Sequence, residues 1–196
     1  GTLDPMATGV LPVMLGNATR FLNFLPDSDK GYRASFILGK TTDTLDVTGA
    51  VLTACETTRG AADIQNILPR FTGKIMQLPH MYSAKSVDGK RLYELAREGV
   101  EVERTPCEVA IKKLEFVGEK DGEFTIDVLC SKGTYIRSLI ADIGDALGCG
   151  AVMTALCRTR ACGFTLDDCV TLDELQEIRD ADGDFRDYVI DTVSVL

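Results

Sequence analysis

The sequence predicts an α+β fold built on a mixed, largely antiparallel sheet flanked by helices. Segments that alternate apolar and polar residues, as half-buried strands do, come in hairpin-like pairs. Amphipathic helical segments separate some of these pairs without a strict strand–helix–strand alternation. The 196 residues, 45% hydrophobic and 26% charged, are enough for one sizeable domain with its own core.

The first elements in chain order are two strands with a short helix between them. Residues 9–16 are predicted to form a strand. Asn17 can cap a helix over residues 17–25, which Pro26 ends. Residues 31–39 alternate as a strand does when one of its faces is buried.

Two helices are predicted next. Thr58 can cap the first, which ends near Pro69. Its apolar residues share one face: Ile64, Ile67 and Leu68. The second covers residues 89–97, with Gly99 at its end.

The second half of the chain predicts a hairpin followed by a longer helix. Strands over 107–117 and 123–131 flank a turn-like EKDG sequence. Residues 135–147 have the spacing of an amphipathic helix, and Gly148 stands at the usual helix end.

An acidic segment carries nearly all of the net charge of −9. Residues 167–191 contain ten acidic and two basic residues, whereas the rest of the chain has 20 acidic and 19 basic residues. Thr171 and Glu174 form a capping box for a helix over 172–181. Because the acidity is regional, a nucleic-acid partner is not excluded.

The seven cysteines favour neither a metal site nor a disulfide framework. They form no C-x-x-C pair, and the chain has one histidine. Reduced, buried thiols in a cytoplasmic protein are the better interpretation. No apolar run approaches the roughly 20 residues of a membrane-spanning helix.

Four segments stand in a specific order: GTLDPMATGVLPV, KGYRASFILGKTTDTLDVTG, QLPHMYSAKSVDGKRLYELAREGVEV and CSKGTYIRSLIADIGDALGCGA. Through them the chain, from Gly1 to about Thr171, resembles the bacterial tRNA pseudouridine synthase B (TruB) family. The resemblance implies the pseudouridine synthase fold and conversion of uridine 55 in the T-loop of tRNA to pseudouridine. In that reaction the N-glycosidic bond is cut, the base turns and is rejoined through carbon 5, with no cofactor.

Asp4 is the candidate catalytic residue. An aspartate before proline is, on its own, a common turn residue that bonds its own backbone. The resemblance instead implies that Asp4 acts on the ribose or on the uracil ring. Such chemistry requires the target base to be flipped out of the RNA fold.

Three further residues match the substrate pocket of the family. Tyr32 corresponds to the tyrosine that stacks on the flipped base, since an aromatic face suits any base; ordinary strand packing is the alternative. Tyr135 and Arg137 correspond to residues that line the same pocket. Arg137 is expected to pair with Asp4, because a guanidinium favours the ionised form of a partly buried carboxylate.

The remaining candidates are more peripheral. Leu156 matches a leucine that walls the uracil site, with plain core packing as the alternative, and Asp46 matches an acidic residue near the RNA and the pocket edge. Solvent-exposed surface is the alternative for four candidate phosphate contacts: Lys85, Lys90, Arg91 and Lys132. Val152 and Cys157 stand where the family often has His and Arg, which weakens any phosphate contact there.

We expect residues 1–170 to form the catalytic domain and 171–196 an acidic helical segment. The family's first strand and its His-Gly pair would lie upstream of Gly1, and we expect no PUA-type RNA-binding domain within the 196 residues. The expected partner is tRNA, bound by a cytoplasmic monomer that needs no cofactor, metal, membrane or obligate protein partner.

Three other functions compete with this interpretation. A non-catalytic RNA-binding module would use the same groove, but it has no need of an ionised acid in a base pocket. A glycoside or nucleoside hydrolase normally shows two carboxylates with divided roles. A guide-RNA-dependent enzyme acting on ribosomal RNA is disfavoured by the bacterial-type motifs.

Overall fold

The computed structural model describes residues 2–25, 29–80, 86–87, 90–91, 100, 102 and 104–191. The strands of this part are, in chain order, β1 (Thr8–Gly9), β2 (Lys30–Leu38), β3 (Lys40–Thr42), β4 (Val51–Ala54), β5 (Gly73–Gln77), β6 (Ser86–Val87), β7 (Lys90–Arg91), β8 (Cys107–Lys120), β9 (Glu123–Cys130), β10 (Ala151–Ala161) and β11 (Phe164–Thr165). Its α-helices are α1 (Ala61–Ile67), α2 (Ile136–Leu147) and α3 (Leu172–Asp180). Short 3-10 helices cover Gly16–Phe24, Leu68–Phe71, Leu166–Asp168 and Arg186–Tyr188.

A seven-stranded sheet forms the centre of the molecule. Its order is β1-β10-β2-β9-β8-β5, and β11 pairs with β10. The β1–β10 pair is parallel and the other pairs are antiparallel. Two small hairpins, β3–β4 and β6–β7, stand outside this sheet. The predicted α+β class with a mixed, largely antiparallel sheet is therefore confirmed.

The core lies between one face of this sheet and helices α1 and α2. Alternate residues of β9 are buried, as expected for a strand with one covered face. The rings of Phe36 on β2 and Phe124 on β9 meet across the sheet, with centroids 5.8 Å apart. Leu139, Ile140 and Ile143 of α2 are fully buried against them. This packing places α2 against β10 and β2.

Several predicted elements are confirmed. The strands predicted over 31–39, 107–117 and 123–131 correspond to β2, β8 and β9, and the helix predicted over 135–147 is α2. Gly148 ends α2 in the left-handed conformation, with φ of 76°. The Thr171 hydroxyl accepts a bond from the Glu174 amide and begins α3, as the capping box predicts.

Three predicted boundaries near the N-terminus are wrong. Strand pairing is limited to Thr8–Gly9 instead of residues 9–16, because only β10 offers a neighbouring edge there. The helix that follows is a 3-10 helix preceded by Leu15, so Asn17 is not its cap. Thr58 does not cap α1, which begins after Gly60, whose amide donates to the Asp63 carboxylate.

Three strands of the central sheet were absent from the prediction: β5, β10 and the two-residue β11. β10 has buried residues on both faces over much of its length, so its sequence does not alternate. β5 is a short edge strand with little apolar character. The helix predicted to begin at Gly89 is wrong for Lys90 and Arg91, which form β7, and residues 92–97 lie outside the described residues.

The cysteines are only partly as predicted. None of the seven forms a disulfide, but Cys130 alone is buried, and Cys55 and Cys169 are exposed. The expectation of buried thiols therefore holds for Cys130 and is wrong for the exposed Cys55 and Cys169. Within the described ranges, no cluster of three or more His, Cys, Asp or Glu side chains could hold a metal ion, and no helix is long and apolar enough to cross a membrane.

Candidate active site

Asp4 lies in a tight turn that leads into β1. The Ala7 amide donates to the Asp4 carbonyl oxygen over 2.9 Å, which closes the turn through Pro5 and Met6. The turn uses the backbone of Asp4, so its side chain stays available. The Asp4 side chain is 32% exposed. Partial exposure of this kind lets a group contact both the protein and a ligand.

Arg137, in the first turn of α2, binds the Asp4 carboxylate in a two-pronged contact. Its Nη2 donates to Asp4 Oδ1 over 3.1 Å, and its Nε lies 2.9 Å from Asp4 Oδ2. The Arg137 side chain is only 7% exposed. The predicted pairing of Arg137 with Asp4 is present in the structure, and the planar guanidinium fixes the orientation of the carboxylate.

Asp46 holds the same guanidinium from the opposite side. Arg137 Nη1 donates to Asp46 Oδ2 over 3.2 Å and to the Thr44 carbonyl over 2.9 Å. Asp46 Oδ1 accepts bonds from the Thr44 hydroxyl and the Thr48 amide, both at 2.9 Å, and from the Thr48 hydroxyl. Burial alone would raise the pKa of Asp46, but these hydrogen bonds and the Arg137 charge outweigh it and hold the pKa below its usual value.

The loop that carries Asp46 is attached to the central sheet. Val47 donates to the Met153 carbonyl over 2.9 Å, and Met153 donates to the Leu45 carbonyl over 3.2 Å. Asp46 is thereby bridged to β10 at Met153. Its side chain is as buried as that of Arg137, so the structure places Asp46 behind the arginine and not at an open pocket edge.

Tyr32 lies on β2, close enough to Asp4 to experience its charge. Burial is the main reason that the pKa of the Tyr32 hydroxyl is raised to about 12; the neighbouring Cys130 and Asp4 add to the effect, and Arg158 opposes it. Leu156 is buried on β10 opposite Ala34, on the same face of the sheet as Tyr32. Tyr32 and Leu156 thus lie on neighbouring strands and on one face of the sheet.

Tyr135 is held at the start of α2 by a buried glutamine of β5. The Gln77 side chain donates to the Tyr135 carbonyl over 2.9 Å and accepts from the Tyr135 amide over 2.8 Å. The ring of His80 meets the Tyr135 ring edge to face, with centroids 5.2 Å apart. Tyr135 and Arg137 therefore enter the site from a helix start that β5 fixes in place.

The structure describes only part of the four candidate phosphate contacts. Lys132 is exposed three residues before Tyr135. Lys90 and Arg91 are described only as the backbone of β7, and Lys85 lies outside the described residues. Of these four, Lys132 is the one whose side chain has a defined position near the site.

The comparison with protein families identifies the family to which the chain belongs. Residues 1–136 match the model described as TruB family pseudouridylate synthase (N terminal domain). Residues 137–193 match the tRNA pseudouridylate synthase B C-terminal domain. The chain belongs to the TruB family.

Curated relatives agree with this membership. The chain is 52% identical over 178 residues to the tRNA pseudouridine synthase B of Pseudomonas fluorescens strain Pf-5, covering 91% of this chain and 58% of that protein. It is 47% identical over 182 residues to that of Alkaliphilus oremlandii strain OhILAs, covering 93% and 61%. The chain thus spans about three fifths of the length of these relatives.

Solved structures show that the TruB chain has the pseudouridine synthase fold. A chain from the crystal structure of a Cbf5-Nop10-Gar1 complex matches with a TM-score of 0.69 and 29% identity, over 98% of this chain and 48% of that one. A chain from the structure of an H/ACA RNP bound to a substrate RNA containing 2'-deoxyuridine matches with a TM-score of 0.65 and 27% identity, over 96% and 47%. The fold implied by the sequence motifs is confirmed.

Three polar residues of this TruB site were not singled out from the sequence for the roles they have. Gln77 and Arg158 are 1% exposed, and His80 is 4% exposed. Two of them carry a sequence signal, since Arg158 is two residues after Leu156 and His80 is the only histidine of the chain. Gln77 carries no such signal, because its role depends on the contact between β5 and α2.

Proposed function

We propose that this chain is the catalytic part of a tRNA pseudouridine synthase that isomerises uridine 55 of the T-loop. The observation that carries the proposal is the ion pair between Asp4 and Arg137. These residues are 133 positions apart, they stand in two separate family motifs, and the fold joins them in a half-open site. A buried arginine aimed at a partly exposed carboxylate fixes its orientation and gives it a counter-charge, as a reacting group needs.

The reaction needs the target base outside the RNA stack. Flipping costs a few kcal/mol, least where the base is already poorly stacked, as in a loop. The ring of Tyr32 offers a stacking face beside Asp4, worth about 1–3 kcal/mol per base. Tyr135 and Leu156 supply further walls of the base site.

Asp4 is proposed as the catalytic carboxylate, acting on the ribose or on the uracil ring. The bond between N1 and C1′ breaks, the uracil turns while it is held in the site, and a bond forms between C5 and C1′. The hydrogen at C5 is lost and N1 ends protonated, so substrate and product are isomers and no cofactor is consumed. Arg137 orients Asp4 and supplies its counter-charge, and Asp46 keeps Arg137 in place.

The proposed partner is the T-arm and loop of tRNA. Lys132 is proposed to contact a phosphate at the entrance of the site, together with Lys85, Lys90 and Arg91. The protein is proposed to act as a cytoplasmic monomer without an obligate protein partner. We keep 1–170 as the proposed catalytic domain and 171–196 as an acidic appendage.

The proposal is tested by incubating the protein with an unmodified tRNA transcript and mapping pseudouridine by a base-specific chemical readout. The expected product lies at uridine 55 alone. Asp4→Asn is nearly isosteric but uncharged, so it should abolish turnover while the Kd for tRNA changes by less than about tenfold, or roughly 1.4 kcal/mol.

Two results would contradict the proposal in different ways. Tight tRNA binding without product in the wild-type protein would indicate an RNA-binding module. Product formation by Asp4→Asn would remove the catalytic role of Asp4 and leave the reaction itself in place.

A further inference from the structure

Arg158 is a buried cation in the middle of β10. It is 1% exposed and is the largest fully buried side chain of the described residues. Burying a guanidinium is costly unless hydrogen bonds replace its water. The groups that bond Arg158 therefore indicate what this charge stabilises.

Two of its bonds go to the backbone on either side of Asp4. Arg158 Nε donates to the Val10 carbonyl over 2.7 Å, and its Nη1 donates to the Thr2 carbonyl over 3.3 Å. Thr2 and Val10 are the two ends of the segment that contains the Asp4 turn. One guanidinium thus fixes both ends of this segment.

The backbone of Arg158 contacts the same segment. The Val10 amide donates to the Arg158 carbonyl over 2.8 Å, and Gly9 faces Arg158 in the β1–β10 pair. A Cβ at Gly9 would lie 2.2 Å from the Arg158 carbonyl oxygen, so this approach requires glycine. The Asp4 segment is therefore packed directly on Arg158.

Tyr32 is the cross-strand neighbour of Arg158. Arg158 and Tyr32 are directly opposite in the β10–β2 pair, and the positive charge of Arg158 acts on the Tyr32 hydroxyl, lowering its pKa against the larger effect of burial. Tyr32 is the proposed stacking residue and Asp4 the proposed catalytic carboxylate. The Arg158 side chain therefore binds the segment that carries Asp4 and also faces Tyr32.

We propose that Arg158 is a positioning residue that fixes the Asp4 segment and the Tyr32 hydroxyl relative to each other, and so sets the distance between the catalytic carboxylate and the bound base. The inference rests on the proposed function for its catalytic consequence. The planar fork of arginine is what allows bonds to several acceptors in different directions, and the point charge of lysine does not replace it.

The test compares Arg158→Met and Arg158→Lys with a matched surface control, Arg33→Met. Arg33 is next to Tyr32 on β2, is 55% exposed and pairs with Asp127 on the solvent face. The measurements are the single-turnover rate, the Kd for tRNA, and the amide hydrogen exchange of Ala7, whose bond to Asp4 closes the turn.

We expect Arg158→Met to slow the single-turnover step by about 100-fold, because misplacement of about 1 Å is enough for such a loss. Its Kd for tRNA should stay within about threefold of wild type. The Ala7 amide should exchange at least about tenfold faster while the amides of β9 are unchanged. Arg158→Lys should recover part of the rate, and Arg33→Met should match wild type.

A double-mutant cycle tests the contact with Tyr32. If Arg158 acts partly through the Tyr32 hydroxyl, Arg158→Lys and Tyr32→Phe should be non-additive in rate. Additive effects would overturn that half of the inference.

Other outcomes separate this inference from the proposed function. A folded Arg158→Met protein with wild-type rate and wild-type Ala7 exchange would overturn the inference, as would equal acceleration of Ala7 and β9 exchange, which indicates general destabilisation. If Arg158→Met does not fold, Arg158→Lys decides, and a wild-type rate there overturns the inference. If wild-type protein forms no pseudouridine, the proposed function fails, and Ala7 exchange still decides whether Arg158 fixes the segment.

Discussion

Asp46 bonds Arg137 from the side opposite Asp4. Substituting Asp46 should therefore disturb the site without removing a contact to RNA. In Asp46→Asn, Oδ1 can still accept the bonds from Thr44 and Thr48, but an amide NH₂ then faces Arg137 Nη1. Breaking one partner of a buried ion pair costs about 3–5 kcal/mol. We predict a free energy of unfolding lower by about 3 kcal/mol in urea titrations, together with a reduced single-turnover rate.

The Asp46→Asn variant also distinguishes a positioning role of Asp46 from a direct contact between Asp46 and RNA. If Asp46 acts through Arg137, the Kd for tRNA should be close to wild type. A loss confined to tRNA affinity, with rate and stability unchanged, would instead place Asp46 at the RNA surface.

His80 gives a prediction for pH. Its imidazole is buried, and neither ring nitrogen has a hydrogen-bond partner among the residues that the structure describes. Burial, reinforced by the positive charge of Arg137, lowers the pKa of His80 from 6.5 to about 3. The unfolded chain therefore binds a proton below about pH 6.5 that the folded protein does not bind until about pH 3, and stability falls as pH drops through this window.

The measurement compares wild type with His80→Phe, which keeps an aromatic ring against Tyr135. Between pH 7 and pH 5 the stability advantage of His80→Phe over wild type should grow by about 2 kcal/mol. Because the chain has one histidine, its Cε1 proton resonance can be followed directly by NMR. A midpoint near pH 6.5 in the folded protein would show that His80 is solvated.

At the scale of elements, the contact between α2 and the start of β10 should be intolerant of a single methyl group. Gly144 lies within α2, and a Cβ there would be 2.2 Å from the Ala151 amide nitrogen and 2.4 Å from the Gly150 carbonyl carbon. Alanine normally stabilises a helix interior by about 1 kcal/mol relative to glycine. We predict that Gly144→Ala instead destabilises by about 2 kcal/mol, as overpacking does.

Gly118→Ala is the matched control. Gly118 lies in β8, and a Cβ there would have nothing within 4 Å. Thermal or urea unfolding of the two variants should therefore shift in opposite directions. A stabilised Gly144→Ala protein would mean that α2 and β10 are further apart than described.

The same two elements show how far sequence patterns reach. α2 was predictable because its buried residues recur at helical spacing and Gly148 ends it. β10 was not, because it is covered on both faces and carries arginine and threonine among its apolar residues. In the site, the motifs identify Asp4 and Arg137, whereas the role of Arg158 appears only when Thr2, Val10 and Tyr32 are brought around it.

For the whole molecule, the acidic segment should oppose the approach of RNA. Residues 171–191 are exposed almost throughout, and α3 has no buried residue. We predict that neutralising Glu177, Asp182 and Asp187 together, as Gln, Asn and Asn, raises the association rate with tRNA several-fold at about 20 mM salt. The effect should vanish near 0.5 M salt, where charges are screened beyond about 4 Å.

The control for this prediction is the single-turnover rate at saturating tRNA, which should not change. Stopped-flow association at several salt concentrations supplies the measurement. A gain in rate that persists at high salt would show that the segment blocks the site by contact and not by its charge.

The sequence by itself determined the family and the α+β class, because motif order and local periodicity can be recognised without knowing which distant residues are in contact. The same motifs identified the candidate residues Asp4, Tyr32, Tyr135 and Arg137. The tertiary structure alone decided that Asp46 bonds Arg137 from within the protein. It also decided that Gln77 fixes the start of α2 and that Arg158, opposite Tyr32, binds both ends of the Asp4 segment. These roles depend on desolvation and on contacts between residues 50 to 150 positions apart, and no local pattern records which buried polar group will find which partner.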